Sequence, residues 1–239
     1  MTPSTVTLVT CTGDRPEAFA LCERWMARQS VRWDQWVVLC DGQEPTRCTV
    51  PLQELSYWPE LRGKPSMPRK LGRAIERELI RGDVVMFIED DDWYAPDYVE
   101  AMAGPLAFHS VVGEGKAIYY NVAWRAWKCH GNMGHASFCQ TVIRRSMLRM
   151  IGGLIARGGG DPFVDGQLWK ERWTNSLVLD PEITGRRCIG IKSMPGRPGY
   201  GSGHTERRGT IPDPKLERLR DLIGADVQHY APFYEKTHE

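Results

Sequence analysis

The stretch Val84-Val85-Met86-Phe87-Ile88-Glu89-Asp90-Asp91-Asp92-Trp93 decides the fold of this chain. Its five leading apolar residues, three of them β-branched, are typical of a short strand buried on both faces. Four consecutive carboxylates follow, and like charges at this density need water or a cation to neutralise them. Mg²⁺ and Mn²⁺ prefer carboxylate oxygens, and ligands of open α/β sheets bind at the carboxyl ends of strands. The stretch therefore favours a metal or ligand site over a solvated acidic turn.

Two further buried strands precede this stretch. Residues 6–12 are rich in β-branched side chains and stop at Gly13-Asp14-Arg15-Pro16, where Pro16 begins a helix. Residues 36–40 form the second strand, which ends at Asp41-Gly42. Two buried strands joined by a helix predict a right-handed, parallel βαβ unit.

The rest of the pattern extends this unit into an open, mostly parallel α/β sheet flanked by helices in one domain. Residues 43–68, rich in proline and polar side chains, predict a loop with little regular structure. The other elements expected from periodicity are helices over 68–81, 93–97 onward, 146–155, 163–173 and 216–223, and strands over 116–127, 136–143 and 187–191.

Composition places the chain among ordinary globular proteins. Its 239 residues, 41% hydrophobic and 26% charged, fit one large domain with a substantial core. The net charge of +1 makes no electrostatic case for nucleic acid or membrane as a partner of the whole chain. The charge is uneven, however: residues 83–100 hold seven acids and no Lys or Arg, and residues 186–220 hold nine Lys/Arg against three acids. The basic tail could meet phosphates or form a solvated face.

Cysteine usage and the N-terminus bear on the compartment. The seven cysteines are scattered without a C-x-x-C pair, which argues against a disulfide framework or a zinc site and suits a reducing cytosol. Neither a signal peptide nor an apolar run of membrane-spanning length is recognisable. We therefore expect a soluble cytoplasmic protein without a membrane span.

Phosphate-binding loops are missing from the first half. The chain has no G-x-x-x-x-G-K-S/T motif, and no G-x-G-x-x-G follows the first strand. If phosphates bind at the strand ends, we expect a metal cation to hold them in place of a glycine-rich loop. A metal that bridges a diphosphate acts as a Lewis acid and stabilises a leaving nucleoside diphosphate.

In their order along the chain these pieces resemble the GT-A glycosyltransferases, especially the family 2 group of nucleotide-sugar-dependent enzymes. Besides the acidic stretch with its following Pro96 and Asp97, the likeness rests on Thr12-Gly13-Asp14-Arg15-Pro16, Cys40-Asp41-Gly42, Arg69-Lys70-Leu71-Gly72, Ile151-Gly152-Gly153 and Asp165-Gly166-Gln167-Leu168-Trp169. It implies the Rossmann-like GT-A fold, with a nucleotide-sugar-binding half (1–110), an acceptor-side catalytic half (111–210) and a C-terminal helical tail (211–239).

The resemblance also implies a metal site and a donor. Glu89 and Asp91 would be the acidic positions of the D-x-D motif and would hold Mn²⁺ or Mg²⁺, although Glu89 is longer than the usual Asp. His204, after a glycine-rich run, would be a third ligand, the alternative being a surface or structural histidine. Asp41 would accept a hydrogen bond from the base of a nucleoside-diphosphate sugar, with UDP-sugars favoured. Further donor contacts are expected from Thr12, Asp14, Arg15, Arg69, Asp90 and Arg207, the last of which could instead be a solvated side chain.

The catalytic base is expected on the late helix. A sugar hydroxyl is a poor nucleophile at neutral pH, so a positioned carboxylate must take its proton. The resemblance assigns this role to Asp165 in an inverting, hexosyltransferase-type enzyme. Asp161 is a rival because Val164 stands where the family often has an acid. His130 and His135 could line the acceptor side, and Trp124 and Trp127 could serve the core or an acceptor platform.

The sequence does not distinguish between four classes of acceptor: a soluble sugar, a lipid-linked glycan, a protein and a nucleic acid. Basic stretches at 62–81 and 186–220 keep DNA among them, with a hydroxymethylated base that leaves the stack to supply the hydroxyl. The rival functions are a metal-dependent phosphodiesterase or nuclease and a non-catalytic nucleotide-sugar-binding module. A sugar-nucleotide pyrophosphorylase would need a glycine-rich first loop, which residues 10–14 lack.

Overall fold

A computed structural model describes residues 4–63, 66–158, 164–171, 175–199, 203–204 and 207–237. The strands within these ranges are β1 Val6–Thr12, β2 Gln35–Cys40, β3 Gln53–Tyr57, β4 Val84–Phe87, β5 Trp93–Tyr94, β6 Val111–Glu114, β7 Ile118–Asn121, β8 Ala126–Cys129, β9 Thr141–Arg144, β10 Ser176–Leu179, β11 Cys188–Lys192 and β12 Ile211–Pro212. The α-helices are α1 Pro16–Ala27, α2 Ser66–Glu76, α3 Tyr98–Ala103, α4 Leu148–Arg157, α5 Val164–Lys170, α6 Pro181–Thr184 and α7 Glu217–Ile223. Short 3₁₀ turns cover Pro59–Leu61, Gly104–Ala107, Phe138–Gln140, Arg145–Met147, Gly224–His229 and Ala231–Thr237.

The main sheet has seven strands in the order β10-β6-β9-β4-β1-β2-β3. β4, β1, β2 and β3 are mutually parallel, whereas β9 runs antiparallel to both β4 and β6. The parallel pairing of β1 with β2 confirms the predicted βαβ unit. The α/β class with a mostly parallel sheet flanked by helices is confirmed as well.

β4 is buried on both faces, as its sequence predicts. Val84 and Met86 belong to one apolar core, and Val85 and Phe87 belong to a second core on the opposite face. All four side chains are buried because alternate residues of a strand point to opposite sides of the sheet. The acids that follow therefore begin where a central strand leaves the core.

A second sheet, ordered β12-β8-β7-β11-β5, closes over the acidic stretch. Trp93-Tyr94, expected to begin a helix, instead forms β5 and pairs antiparallel with β11, and the helix starts later, at Tyr98. Residues 116–127, expected as one strand, form the β7–β8 hairpin, with Arg125 at a φ of 45° in its turn. The acids at 89–92 thus connect the two sheets.

The loop prediction for 43–68 is wrong in part. β3 pairs in parallel with β2 at the edge of the main sheet, and a 3₁₀ turn follows it. Its side chains are exposed or half-buried, so this strand carries no apolar run by which the sequence could reveal it. The predicted strand at 136–143 is also shifted: a 3₁₀ turn occupies 138–140 before β9 begins.

The C-terminal segment packs against α1. The indole N–H of Trp25 donates to the Tyr230 hydroxyl over 2.9 Å, and Leu219 and Ile223 of α7 are buried in the first core. All seven cysteines are free thiols. Among the described residues, no helix combines the length and apolar content that crossing a membrane requires.

Candidate active site

A cavity of about 730 Å³ opens at the carboxyl ends of β1 and β4, a size typical of small-molecule sites. Of the residues predicted from the sequence, it is lined by Thr12, Arg15, Glu89, Asp90, Asp91, Asp165 and His204. Residues as distant in the chain as Thr12 and His204 thereby face one space. The histidines proposed for the acceptor side, His130 and His135, line it as well.

Arg15 joins two of the four consecutive acids. Its Nη1 lies 2.6 Å from Asp90 Oδ1 and its Nη2 lies 2.6 Å from Asp91 Oδ2. The second carboxylate oxygen of Asp90 accepts from the Thr12 hydroxyl over 2.8 Å. Burial opposes ionisation of Asp91, but Arg15, Lys192 and His204 together hold its pKa below the usual range. Asp91 is therefore an anion inside the cavity wall.

Lys192, at the end of β11, balances the other two acids. Its ammonium lies 3.2 Å from Asp92 Oδ1 and 3.6 Å from Glu89 Oε2. Burial raises the pKa of Asp92 to about 6, with Lys192 opposing the shift. Burial and the neighbouring carboxylates raise the pKa of Glu89 to about 8. Glu89 is the most open of the group, with 40% of its side chain exposed.

The acids have the chemistry of a divalent cation site. Carboxylate oxygens of Glu89, Asp91 and Asp92 lie within 4.8 Å of one another. Asp92 is buried behind the other two acids, and its carboxylate also lies close to the buried thiols of Cys139 and Cys188. An all-oxygen donor set suits Mn²⁺ or Mg²⁺. His204 Nε2 lies 3.8 Å from Asp91 Oδ2, beside this set, and Asp92 extends the pair of acids taken from the sequence.

Asp165 faces the same cavity from α5. Burial raises the pKa of its carboxyl group, while a hydrogen bond from the Gly166 amide over 2.8 Å and the charge of His135 oppose the shift. A carboxylate with a raised pKa is a stronger base than a solvated one. Asp161 lies outside the described residues.

Asp41 lies behind the cavity in a buried charge cluster. Lys70 Nζ donates to Asp41 Oδ1 and to the Thr12 carbonyl, each over 2.8 Å. Arg197 contacts both oxygens of the same carboxylate, at 2.6 and 3.1 Å. Although burial opposes it, these bonds lower the pKa of Asp41. A nucleotide base would reach this carboxylate only if Arg197 shifted.

Besides Asp41, three of the predicted donor contacts do not line the cavity. Asp14 forms an ion pair with Arg62, and its carboxylate accepts a hydrogen bond from the backbone N–H of Gln43. Arg69 donates to the Leu61 carbonyl. Arg207 is exposed, and its guanidinium lies 4.9 Å from the Trp124 ring centroid.

Sequence reasoning identified Arg15 but missed the other cations of the site. Lys192 and Arg197 line the cavity, as does Lys70, which appears in the motif comparison without a role. Lys192 is 100 residues from Asp92, and Arg197 is 156 residues from Asp41. A lone basic residue gives no signal at such separations. The available signal was the charge balance, since four clustered acids require cations.

Comparisons with known proteins support the fold. No protein-family model and no curated protein matches the chain. Among solved structures it is similar to TarS of S. aureus, at 12% identity and a TM-score of 0.52 over 79% of this chain and 37% of that one. The TarS 1–349 structure has 11% sequence identity and a TM-score of 0.51, over 78% of this chain and 60% of that one. The mannosyltransferase PcManGT of Pyrobaculum calidifontis was solved with GDP-Man and Mn²⁺. It has 14% sequence identity and a TM-score of 0.49, over 80% of this chain and 57% of that one.

The likeness to solved glycosyltransferases gives the chain a GT-A-like glycosyltransferase fold, as the motif comparison predicted. The chain spans less than two thirds of the length of each of these structures. At such low identities the likeness defines the fold alone, so donor, acceptor and mechanism have to be argued from the cavity.

Proposed function

We propose that this protein is a metal-dependent glycosyltransferase that moves a sugar, of hexosyl type, from a nucleoside-diphosphate sugar to an acceptor hydroxyl with inversion. One observation carries the proposal. The Glu89 and Asp91 carboxylates, with Asp92 buried beside them, face the same cavity as the Asp165 carboxylate in a GT-A-like fold. Sugar transfer needs a metal site for the leaving diphosphate next to a carboxylate base for the attacking hydroxyl.

The donor half of the reaction uses the acids and their cations. Glu89, Asp91 and Asp92 would hold Mn²⁺ or Mg²⁺, with His204 as a further ligand. When bound, the metal supplies Lewis-acid stabilisation of the leaving nucleoside diphosphate. Arg15 and Lys192 hold the carboxylates in place and keep positive charge beside the phosphates. UDP-sugars are the first donors to test, because the family resemblance implies that Asp41 accepts a hydrogen bond from the nucleotide base and favours UDP-sugars.

The acceptor half uses Asp165. The acceptor oxygen forms its bond to the anomeric carbon while the bond from that carbon to the phosphate oxygen breaks. Its proton passes to Asp165, and the bonding electrons leave with the nucleoside diphosphate. Burial raises the pKa of Asp165, which strengthens it as a base. The acceptor hydroxyl would come from a glycan or from a hydroxymethylated base in DNA.

A donor-binding screen by thermal unfolding tests this function. UDP, GDP, CDP and their sugars are added with and without Mn²⁺ to the wild type, to Asp91→Asn and to Asp221→Asn. Asp221 is exposed on α7 and serves as the control for the same chemical change. We expect metal-dependent stabilisation by one nucleotide sugar in the wild type and the control, and its loss in Asp91→Asn. If no nucleotide stabilises the protein with metal present, a metal-dependent phosphodiesterase becomes the better assignment.

The variant Asp165→Asn tests the proposed role of Asp165 as the catalytic base. Transfer should fall about 10²–10⁴-fold, because an amide cannot take the acceptor proton, while donor-induced stabilisation stays. Product formation is followed with the donor from the screen, and Asp161→Asn serves as the comparison. NMR of the product gives its anomeric configuration; retention, or a larger loss in Asp161→Asn, would remove Asp165 from this role. Donor binding by the wild type without any product formation would favour a non-catalytic binding module.

A further inference from the structure

One wall of the cavity is formed by two cations that cover a carboxylate. Lys70 and Arg197 line the cavity, and Asp41 lies behind them without any exposed surface. Lys70 Nζ lies 2.8 Å from Asp41 Oδ1. Arg197 Nη2 lies 2.6 Å from the same oxygen, and Arg197 Nη1 lies 3.1 Å from Asp41 Oδ2. One carboxylate thus has two cationic partners, which is one more than its charge requires.

The two cations differ in how firmly they are held. Lys70 belongs to α2, its side chain is only 2% exposed, and its ammonium also donates to the Thr12 carbonyl over 2.8 Å. Arg197 follows β11 in the chain, and 23% of its side chain is exposed. Because Lys70 already neutralises Asp41, Arg197 can leave the carboxylate without stranding a buried charge there. Lys70 is therefore the permanent partner of Asp41, and Arg197 is the exchangeable one.

The backbone that carries Arg197 is docked independently of the guanidinium. The Arg197 N–H donates to the Asp14 carbonyl over 2.9 Å. Gly196 has a φ of 101° and approaches the same carbonyl so closely that a Cβ would lie 2.3 Å from its oxygen. Glycine meets both conditions because it has no side chain. Since neither contact involves the guanidinium, only the side chain of Arg197 has to move to uncover Asp41.

The guanidinium of Arg197 and the N–H groups of a nucleotide base are the same kind of partner for Asp41. Both donate hydrogen bonds to carboxylate oxygens, and Asp41 has no exposed surface while the guanidinium covers it. An arginine side chain moves between staggered rotamers, and the cavity of about 730 Å³ beside it gives the guanidinium room to turn away. A nucleotide base and Arg197 therefore compete for one carboxylate.

We propose that Arg197 is a latch on the nucleotide-base site: its guanidinium occupies Asp41 in the free protein, and the base of the donor displaces it. The inference rests on the proposed transferase function, in which Asp41 accepts a hydrogen bond from the base. Lys70 stays on the carboxylate throughout. The latch lowers the affinity for every nucleotide, because only the fraction of molecules with an uncovered Asp41 binds the base. It does not act on the diphosphate, whose partners are the metal and the acidic cluster.

The variant Arg197→Met tests the latch. UDP, GDP and CDP are titrated into the wild type and the variant by isothermal titration calorimetry in the presence of Mn²⁺. If Asp41 is uncovered in about a tenth of the wild-type molecules, the variant should bind its preferred nucleotide about 10-fold more tightly. A merely structural ion pair predicts the opposite sign, because its loss loosens the site and weakens binding. The Arg197→Gln variant also lacks the charge and carries the same test if the methionine variant does not fold.

A second ligand and a matched variant serve as controls. Inorganic pyrophosphate with Mn²⁺ has no base, so its affinity should be the same for the wild type and Arg197→Met. Arg28→Met removes a guanidinium of similar exposure, 29%, which lies 2.6 Å from the Asp226 carboxylate and does not line the cavity. This control should bind nucleotides like the wild type. Tighter nucleotide binding confined to Arg197→Met therefore reports the uncovering of Asp41.

Failure of the latch is separable from failure of the transferase function. If the wild type binds a nucleotide and Arg197→Met binds it no more tightly, only the latch is overturned. Equal weakening of nucleotide and pyrophosphate binding in Arg197→Met would also overturn it, and would place Arg197 at the phosphates instead. Absence of nucleotide binding in both proteins would remove the transferase function together with the latch. Nucleotide binding by the variant alone would support both.

Discussion

At the scale of single residues, two buried cations make the acidic stretch possible. Arg15 binds Asp90 and Asp91, and Lys192 contacts Asp92 and Glu89. Each cation keeps its charge because the surrounding carboxylates raise its pKa against the effect of burial. The stretch is therefore partly neutralised by the protein before any metal arrives.

Arg15→Met should strongly destabilise the protein. The substitution leaves two buried carboxylates without their charged partner, which typically costs about 3–5 kcal/mol. Urea denaturation of the metal-free protein measures the change. Arg81→Met is the control, because the Arg81–Glu54 pair is exposed and such pairs contribute under about 1 kcal/mol. Similar losses for the two variants would contradict the role of Arg15.

Local sequence pattern identified the anions of the site and Arg15, but it did not identify Lys192. Glu89 and Asp91 follow a recognisable buried strand, and Asp165 belongs to a recognisable motif, so local pattern sufficed for them. Lys192 reaches the acids only through the β7–β11–β5 pairings, which no local pattern specifies. A residue placed by long-range strand pairing is invisible to periodicity.

At the scale of elements, α5 is positioned by a close contact with β6. A Cβ on Gly113 would lie 2.4 Å from Ala136 Cβ and 2.5 Å from Trp169 Cζ2. Trp169 and Asp165 are one helical turn apart on α5. The missing side chain at Gly113 thus lets the helix that carries the proposed base approach the sheet.

Gly113→Ala should lower both stability and turnover. Overpacking a filled site costs about 1–3 kcal/mol, and displacement of α5 moves Asp165 away from the acceptor. Gly104→Ala is the matched control, because a Cβ there has no neighbour within 4 Å. Denaturation and transfer rates are compared at saturating donor. Unchanged turnover in a destabilised Gly113→Ala would show that α5 tolerates the shift.

Element prediction succeeded where strands are buried and failed at exposed or interrupted segments. β1, β2 and β4 carry apolar runs and are confirmed. β3 is an exposed edge strand, and β5 is two residues long and exists only through its pairing with β11. Neither has a pattern of its own, so the context of the folded sheet decides their conformation.

At the scale of the whole molecule, stability should depend on pH and metal together. The folded-state pKa values of Asp92 (about 6) and Glu89 (about 8) lie above their ordinary values of 3.8 and 4.5. Groups with raised pKa values stabilise the fold while protonated, and this contribution disappears as pH rises through 6 and then 8. Solvent partly screens the half-buried Glu89, so Asp92, which is fully buried, supplies the larger share of this pH dependence.

Metal should therefore stabilise the protein more at pH 8 than at pH 5.5, because the ligands must be ionised to bind it. Melting temperatures are recorded in EDTA and in excess Mg²⁺ or Mn²⁺ at both pH values and constant ionic strength. We expect the metal-free protein to melt lower at pH 8 and the metal to restore it there. A metal effect as large at pH 5.5 as at pH 8 would speak against the acids as ligands.

The Arg197–Asp41 pair has a consequence for synthesis on the ribosome. Asp41 is buried at the end of β2, and its second cation comes from 156 residues later in the chain. A growing polypeptide that has emerged as far as α2 can neutralise this carboxylate with Lys70 alone. The first half of the chain therefore reaches its final charge balance only after residue 197 has left the exit tunnel, which makes the native state of this half a late event in translation.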